Sequence, residues 1–297
     1  MLLQYNVFRM KRLFLNQHLR NRFGERVQRI PIDTGSLCPN RVNGHGCIFC
    51  DPSGSAASWI RPGMSIQDQL KRGSGIAVRR YKSKKFIAYF QAFTSTASSV
   101  QELDRIYKQV LEFPGMVGMA ISTRPDCISD EVFDLIKEYS SKTYVWMELG
   151  AQSMIDDSLD WINRGHKAEV FSSMVKKFKK AGIETVGHII FGLPVETKAQ
   201  TMASFKDFLS TGVDGYKIHA LHIIKDTELH KMYLKKPFDL LTMDEYIELV
   251  KEAVSITPEN IVIHRLTAET EPSRLIAPLW VTQKNEILRR IIGDLGL

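Results

Sequence analysis

The 297-residue sequence has only four cysteines and lacks any long uninterrupted hydrophobic run. Four cysteines are too few for a disulfide-stapled secreted domain, so we expect a reducing, cytoplasmic location. The most apolar stretch, residues 185–194, is far shorter than the roughly 18 residues of a membrane-spanning helix, so no membrane partner is expected. Residues 1–30 contain no serine and no signal-like apolar run, so we expect neither a transit peptide nor a secretory signal.

Positive charge is concentrated in two segments of the chain. The formal net charge is +7, and residues 1–30 hold seven basic residues against one acidic residue. Residues 79–85 form a second basic block, and clustered lysine and arginine displace the counterions condensed on nucleic acid. A third block, residues 176–180, lies in a helical pattern and is interpreted as a solvated face. The nucleic-acid-binding candidates come from the first two segments and are Arg9, Lys11, Arg12, Arg79, Arg80 and Lys82.

Apolar segments of strand length alternate with helical patterns along the chain. These segments are continuously apolar, which is typical of strands covered on both faces in a parallel sheet. They span residues 27–32, 86–93, 116–122, 143–149, 185–191, 215–223 and 261–265. The helical patterns lie at 98–113, 129–139, 168–181, 197–209 and 243–254. About six strand–helix repeats predict a parallel α/β fold, either a barrel or a doubly wound sheet.

Three of the four cysteines, Cys38, Cys47 and Cys50, fall within 13 residues directly after the first predicted strand. Three thiolates suit a [4Fe–4S] cluster in which one iron has no protein ligand. Three thiolates together with His45 would instead make a structural zinc site. The spacing favours the cluster, because His45 lies only two residues before Cys47, but both interpretations remain open at this point.

The cysteine segment and several later motifs resemble the radical S-adenosylmethionine (radical SAM) enzymes. Cys47-Ile48-Phe49-Cys50 has their Cys-x-aromatic-Cys form, and the long gap after Cys38 is similar to that in the radical SAM half of the Elongator catalytic subunit. Further matching segments are 89–94 (YFQAFT), 122–127 (STRPDC), 148–153 (ELGAQS), 163–166 (NRGH) and 187–194 (GHIIFGLP). Residues 263–266 (IHRL) and 275–280 (LIAPLW) resemble the smaller YhcC/YtqA-type subfamily. The resemblance spans about residues 20 to 290.

This resemblance implies an enzyme with a partial (β/α)6 TIM-like barrel, a [4Fe–4S] cluster and S-adenosyl-L-methionine (SAM) as cofactors. Cys38, Cys47 and Cys50 would bind three irons, and SAM on the fourth would be split by one electron to a 5′-deoxyadenosyl radical. A flavodoxin-like or ferredoxin-like reductant is expected. The SAM-contacting residues that the resemblance implies are Gln91, Ser122, Arg124, Glu148, Gln152, Arg164 and Ile190. No residue is assigned as catalytic, and Cys127 is interpreted as a core thiol.

Three functions are compatible with these features. The first is modification of tRNA, at the C5 side chain of the wobble uridine, by a basic radical SAM enzyme. The second keeps the radical chemistry but takes a small metabolite or a protein side chain as substrate. The third is a zinc-stabilised nucleic-acid-binding module without catalysis. The sequence ends at residue 297 without an acetyltransferase-sized segment, so acetyl-CoA chemistry is not expected.

We predict three parts of the chain: a basic N-terminal arm (1–26), the partial barrel (27–255) and a C-terminal extension packing on the barrel (256–297).

Overall fold

The structure is a computed structural model that describes residues 12–42, 44, 46–51, 54 and 56–296. Its strands are β1 (Leu13–Phe14), β2 (Val27–Ile32), β3 (Lys85–Phe90), β4 (Met116–Thr123), β5 (Tyr144–Gln152), β6 (Glu184–Phe191), β7 (Gly215–Ala220), β8 (Ile223–Ile224), β9 (Val262–Arg265) and β10 (Leu275–Ala277). Its helices are α1 (Leu15–Phe23), α2 (Pro39–Val42), α3 (Ile66–Tyr81), α4 (Val100–Leu111), α5 (Asp130–Ser140), α6 (Asp156–Trp161), α7 (Ala168–Lys180), α8 (Lys198–Ser210), α9 (Glu228–Lys235), α10 (Met243–Ile256) and α11 (Lys284–Leu295).

Eight strands form one curled sheet in the order β1-β9-β7-β6-β5-β4-β3-β2. All neighbouring pairs in this sheet are parallel, so every strand ends at the same rim. β8 and β10 pair antiparallel in a separate two-stranded sheet. The loops after the parallel strands therefore meet at one end of the fold, where side chains from several strands can form a site.

Successive side chains of each strand point to opposite faces of the sheet. One set, which includes Ile30, Phe90, Ile121 and Met147, packs with the helices into the main apolar core. Helices pack there because their apolar residues lie on one side; in α4 the buried residues are Leu103, Ile106, Tyr107 and Val110. The helix starts are fixed by serine or threonine caps, as at Ser99, whose side chain accepts from the Glu102 N–H.

The opposite, concave face is closed at one end by α1. Leu15 and Leu19 of this helix are buried against Val27, Ile87 and Trp146 of the sheet. The remainder of the concave face carries polar and charged side chains, because the strand residues alternate in direction. Apolar packing thus stabilises the outer layer and the floor, and the polar groups lie between the floor and the rim.

The structure confirms the predicted α/β partial barrel and its parallel strands. The strand boundaries differ by a few residues, and the predicted strand at 215–223 is two strands, because the chain leaves the sheet at Leu221 and His222. The sheet is also wider than the predicted six strands, since β9 and the two-residue β1 extend it. Sequence analysis missed α3, whose charged and glycine-containing sequence hides its apolar face. Within the described ranges no helix is both long and apolar enough to cross a membrane.

Candidate active site

The three clustered cysteines lie on the loop that follows β2. Cys38 directly precedes α2, and Cys50 follows a turn closed by the Cys50 N–H to the Cys47 carbonyl at 3.0 Å. Burial raises the pKa of the Cys50 thiol, and the nearby Cys47 and Cys38 thiols raise it further, while Arg41 lowers it. The three sulfur atoms therefore face a shared space, as the sequence spacing predicts.

This donor set fits an iron–sulfur cluster. Zinc requires all its ligands on one ion, with sulfur at about 2.3 Å. In a [4Fe–4S] cluster each cysteine binds a different iron, so the thiolates stand further apart. Within the described part of the chain, no three His, Cys, Asp or Glu side chains are grouped closely enough for one metal ion. His45, the fourth ligand of the zinc alternative, lies outside the described residues.

Hydrogen bonds to backbone atoms hold the cysteine loop in shape. The Arg41 Nη2 donates to the carbonyls of Cys50 at 2.7 Å and Asp51 at 2.6 Å. The Asn40 Nδ2 donates to the Asn163 carbonyl at 2.9 Å and lies 3.8 Å from the Cys47 sulfur. The loop is therefore fixed by the chain itself and by the segment after α6.

Two buried arginines lie beside this loop and each has an unpaired nitrogen. Arg164 donates from Nη2 to the Gly150 carbonyl at 2.7 Å and from Nη1 toward the Cys47 sulfur at 3.7 Å. Arg124 forms a two-point pair with Asp126, at 2.9 and 2.8 Å. The Nε of Arg164 and the Nη1 of Arg124 are buried without a partner among the described residues. Buried donors are normally paired, so these two atoms fit a ligand with an anionic group such as a carboxylate.

A strained backbone brings these groups together. Gln152, at the end of β5, has φ 72° and Asn163 has φ 51°, both in the left-handed region that side chains disfavour. A Cβ at Gly150 would lie 2.6 Å from both the Arg164 Nη2 and the Gln152 Nε2. Only glycine at 150 therefore lets Arg164 and Gln152 approach the cysteine loop, and such strain is typical of functional sites.

Glu148 lies elsewhere, in a buried charge network on the concave face. Its carboxylate accepts from Lys217, from the His188 ring at 3.0 Å and from the Trp146 indole at 3.1 Å. The Lys217 ammonium also donates to the Tyr89 hydroxyl at 2.8 Å. The protein itself thus satisfies the Glu148 carboxylate. Its partner is Lys217 and not Arg164, which is the alternative pairing that the sequence had suggested.

The pKa values of this network follow from burial and from close charges. Burial opposes ionisation of Glu148, but Lys217, His188 and Arg29 outweigh it and hold the pKa of that carboxyl well below its usual range. Burial lowers the pKa of Lys217 to about 7, against the attraction of Glu148. Burial and Lys217 lower the pKa of His188 to about 4. Sequence reasoning missed Lys217, and the signal was a lysine inside the otherwise apolar strand β7.

The remaining predicted SAM contacts are spread around the rim. Gln91 follows β3 and lines a cavity on the concave face, together with Arg29 and Tyr89. The backbone carbonyl of Ser122, in β4, accepts from the Ser95 hydroxyl at 2.8 Å. Ile190 is buried in β6. The structure groups Arg124, Gln152 and Arg164 near the cysteines, and it places Glu148 apart from that group.

Cys127 lies next to the Arg124–Asp126 pair, with its sulfur 3.7 Å from the Asp126 Oδ1. Burial, with the charge of Asp126, raises the pKa of this thiol to about 11. Cys127 is therefore a protonated thiol beside the site at neutral pH.

The basic candidates are at the opposite end of the sheet. Arg79 and Arg80 are exposed in the last turn of α3, and Lys82 follows it, three residues before β3 begins. Because parallel strands start at one end and finish at the other, these residues lie away from the cysteine rim. Arg12 donates to the carbonyls of Val254 and Ser255 at 2.9 and 3.0 Å, at the C-terminus of α10. Arg9 and Lys11 lie outside the described residues.

Comparison with known proteins gives a consistent match. A model of the radical SAM superfamily matches residues 34–208, and a model of the Radical_SAM C-terminal domain matches residues 213–295. The uncharacterized protein YtqA of Bacillus subtilis is 37% identical over 95% of this chain and 88% of its own length. A tRNA uridine(34) acetyltransferase of Methanocaldococcus infernus is 25% identical, over 61% of this chain and 34% of its own. The structure of the archaeal Elp3 from Methanocaldococcus infernus superposes with a TM-score of 0.70 at 18% identity, over 91% of this chain and 63% of that structure.

Proposed function

The chain belongs to the radical SAM superfamily, and we propose that it modifies tRNA at the C5 side chain of the wobble uridine. Members of this superfamily bind a [4Fe–4S] cluster and SAM, which together supply a 5′-deoxyadenosyl radical that removes a hydrogen atom from the substrate. The zinc-stabilised, non-catalytic alternative is therefore not retained. The proposal concerns the substrate and the residues that would serve the reaction.

The residues at the rim suit the binding of these cofactors. Cys38, Cys47 and Cys50 would hold three irons, and the loop bonds of Asn40 and Arg41 would keep their thiolates in place. The unpaired nitrogens of Arg124 and Arg164 would face the SAM carboxylate. Arg164 also approaches the Cys47 sulfur, so the same side chain would position both cofactors. The curled sheet would shield the radical from water on its concave side.

One observation carries the tRNA proposal: the match to a tRNA uridine(34) acetyltransferase extends over 61% of this chain. The matched part of that relative is about a third of its length, so its acetyl transfer is not proposed for this chain. The exposed cations at the end of α3 add support, because tRNA is large enough to contact both ends of the sheet. Hydrogen abstraction would then trim or rearrange a substituent already present on the base.

Nucleoside analysis of tRNA tests the proposal. Total tRNA from cells with the gene, without it, and complemented with Cys50→Ala is digested and its wobble uridines are compared by mass spectrometry. We expect one modified uridine to be lost in the deletion and not restored by Cys50→Ala. In parallel, purified enzyme with SAM and reductant should form more 5′-deoxyadenosine when the deletion tRNA is added. An identical set of wobble uridines in all three strains would contradict the proposal.

A further inference from the structure

A cavity of about 190 Å³ opens on the concave face at the edge strand β2. Arg29, Tyr89, Gln91 and Arg265 line it, and Leu15 and Leu19 of α1 are also part of its wall. Arg29 lies within β2 and not in the loop after it, so the cavity is deeper in the half-barrel than the cysteine loop. None of Arg124, Arg164 and Gln152, which would face SAM, lines this cavity.

The two arginines of the cavity lack a hydrogen-bonded carboxylate among the described residues. The nearest acid oxygens are those of Glu148, 3.8 Å from Arg29, and Glu269, 3.9 Å from Arg265. Both distances exceed hydrogen-bond length. Glu148 already accepts from Lys217 and His188, and Glu269 accepts from Lys284 at 3.0 Å. Since guanidinium groups keep their protons in proteins, the cavity has an excess of positive charge.

Unpaired buried atoms occur at the same depth. The Nη1 of Arg29 is buried with no partner, and so are the Nδ1 of His264 and the Nε2 of His219. Arg29 packs its guanidinium over the Tyr89 ring, 5.0 Å from the centroid, which orients the group without satisfying its donors. Buried polar atoms without partners are rare, and three on one face point to a group that binds there.

We propose that this cavity binds an anionic group of the substrate, a carboxylate or a phosphate, between Arg29 and Arg265. Such groups accept two parallel hydrogen bonds from a guanidinium, and a cavity of this size holds one of them with few additional atoms. Arg29 would then determine specificity by preferring a substrate whose substituent carries negative charge. The inference rests on the proposed function only in taking the rest of the substrate to be a uridine.

Equilibrium binding to the complete, cluster-loaded chain tests the subsite. The protein is saturated with SAM without reductant, so that nothing turns over, and four probes are titrated by calorimetry. The probes are 5-carboxymethyluridine, its neutral amide, uridine 5′-monophosphate and uridine. Each pair differs in one anionic group, so the arms separate a carboxylate on the base from a phosphate on the ribose. One anionic probe should bind at least ~10-fold more tightly than its neutral counterpart, as expected for a charge-assisted hydrogen bond.

Variants assign that preference to the cavity. Arg29→Met should abolish the preference and leave the affinity of the neutral probe unchanged, while Arg29→Lys should retain part of it. Lys206→Met removes the same charge from an exposed residue of α8 that does not line the cavity, and it should keep the full preference. Arg265→Met is the second variant if Arg29→Met does not fold, as judged by circular dichroism and iron content.

Three outcomes would overturn the subsite. They are equal binding of anionic and neutral probes, a preference that survives in both Arg29→Met and Arg265→Met, and a loss of SAM affinity in Arg29→Met with an unchanged probe preference. The proposed uridine substrate fails separately. If no uridine probe binds but acetate or inorganic phosphate raises the melting temperature in an Arg29-dependent way, the subsite stands and the uridine does not.

Discussion

Arg274 reaches back 223 positions along the chain and places its Nη1 2.7 and 2.9 Å from the two carboxylate oxygens of Asp51. Asp51 directly follows Cys50, and the Arg274 carbonyl accepts from the Lys225 N–H at 2.8 Å. Both side chains of the pair are largely buried, with 29% and 14% exposed. The segment before β10 therefore holds the end of the cysteine loop against the body of the protein.

Loss of this contact should weaken the retention of iron. We expect Arg274→Met to fold normally but to release iron to a chelator several-fold faster than the unmodified protein, because Asp51 loses a charge-assisted hydrogen bond. Arg289→Met, on the exposed side of α11, is the matched control, since its partner Glu286 lies on the same helix. Equal release rates in the two variants would show that the Arg274 contact does not support the loop.

Alanine substitution should separate the three clustered cysteines from the fourth. Cys38→Ala, Cys47→Ala or Cys50→Ala should each lose most of the bound iron and all 5′-deoxyadenosine formation, since each would remove one thiolate ligand. Cys127→Ala should retain its iron and serves as the control. Iron, sulfide and absorbance near 400 nm check the result after anaerobic reconstitution. Full iron content in any of the first three variants would contradict the ligand assignment.

Gly150 provides a test of the SAM-binding arginine that removes no polar group. A methyl group at this position would meet the Arg164 Nη2 at 2.6 Å and push the guanidinium away from Cys47. Gly150→Ala and Arg164→Met should each raise the Kd for SAM at least ~10-fold, as expected for losing a hydrogen bond to a charged group. Equilibrium dialysis of the oxidised holoprotein measures this, with Arg105→Gln on the exposed side of α4 as control. An unchanged Kd in both variants would exclude a role for Arg164.

Stability should decrease in mild acid because buried histidines stay neutral in the fold. Burial and nearby charges lower the pKa of His188 to about 4, and burial holds those of His219 and His264 well below their ordinary value. Below pH of about 6.5 the unfolded chain therefore binds more protons than the folded chain. Each histidine should lower the free energy of unfolding by about 1.4 kcal/mol between pH 7.5 and 5.5.

Denaturant unfolding at the two pH values checks this expectation. A Cys38→Ala, Cys47→Ala, Cys50→Ala triple variant provides the control, because it separates histidine titration from acid loss of a cluster. His188→Asn should reduce the pH dependence by about a third of the summed histidine effect. Equal stability of the cluster-free protein at pH 7.5 and 5.5 would contradict the assigned protonation states.

The basic end of α3 should contribute to tRNA binding without contributing to cofactor chemistry. Replacing Arg79, Arg80 and Lys82 by glutamine should weaken binding and reduce the slope of log K against log salt by about three contacts' worth. The matched control replaces Lys176, Lys179 and Lys180 of α7, which are also exposed. If both triple variants keep the same slope as the unmodified protein, the end of α3 does not contact tRNA.

The sequence predicted the core sheet well because those strands are strongly apolar and buried on both faces. Val27–Ile32 matches β2 residue for residue, and the caps at Ser99 and Ser129 lie where the helix patterns start. The short β1 was not predictable, because two residues carry no periodicity and their strand form depends on pairing with Val262 and Ile263. Local pattern therefore determines the elements that pack by themselves, and distant pairing determines the others.

The site was predictable only in part for the same reason. The cysteines are close in sequence, so their grouping follows from spacing. Arg164 and Gly150 meet only after α6 folds back, and the contact of Arg274 with Asp51 spans most of the chain. The Lys217–Glu148 pair depends on strands β5 and β7 facing the same interior. Sequence motifs pointed to Glu148 and Arg164 as polar groups, and the structure supplied their partners.

The pairing of β1 with β9 has a consequence for synthesis on the ribosome. Leu13 and Phe14 find their partners only at Val262 and Ile263, so the first strand of the described chain waits unpaired until nearly the whole polypeptide has emerged. The helix that closes the floor follows β1 directly and cannot settle before it. Long-range pairings of this kind slow folding. The half-barrel should consequently be finished last at its floor, and nascent chains halted before residue 262 should remain sensitive to protease within α1.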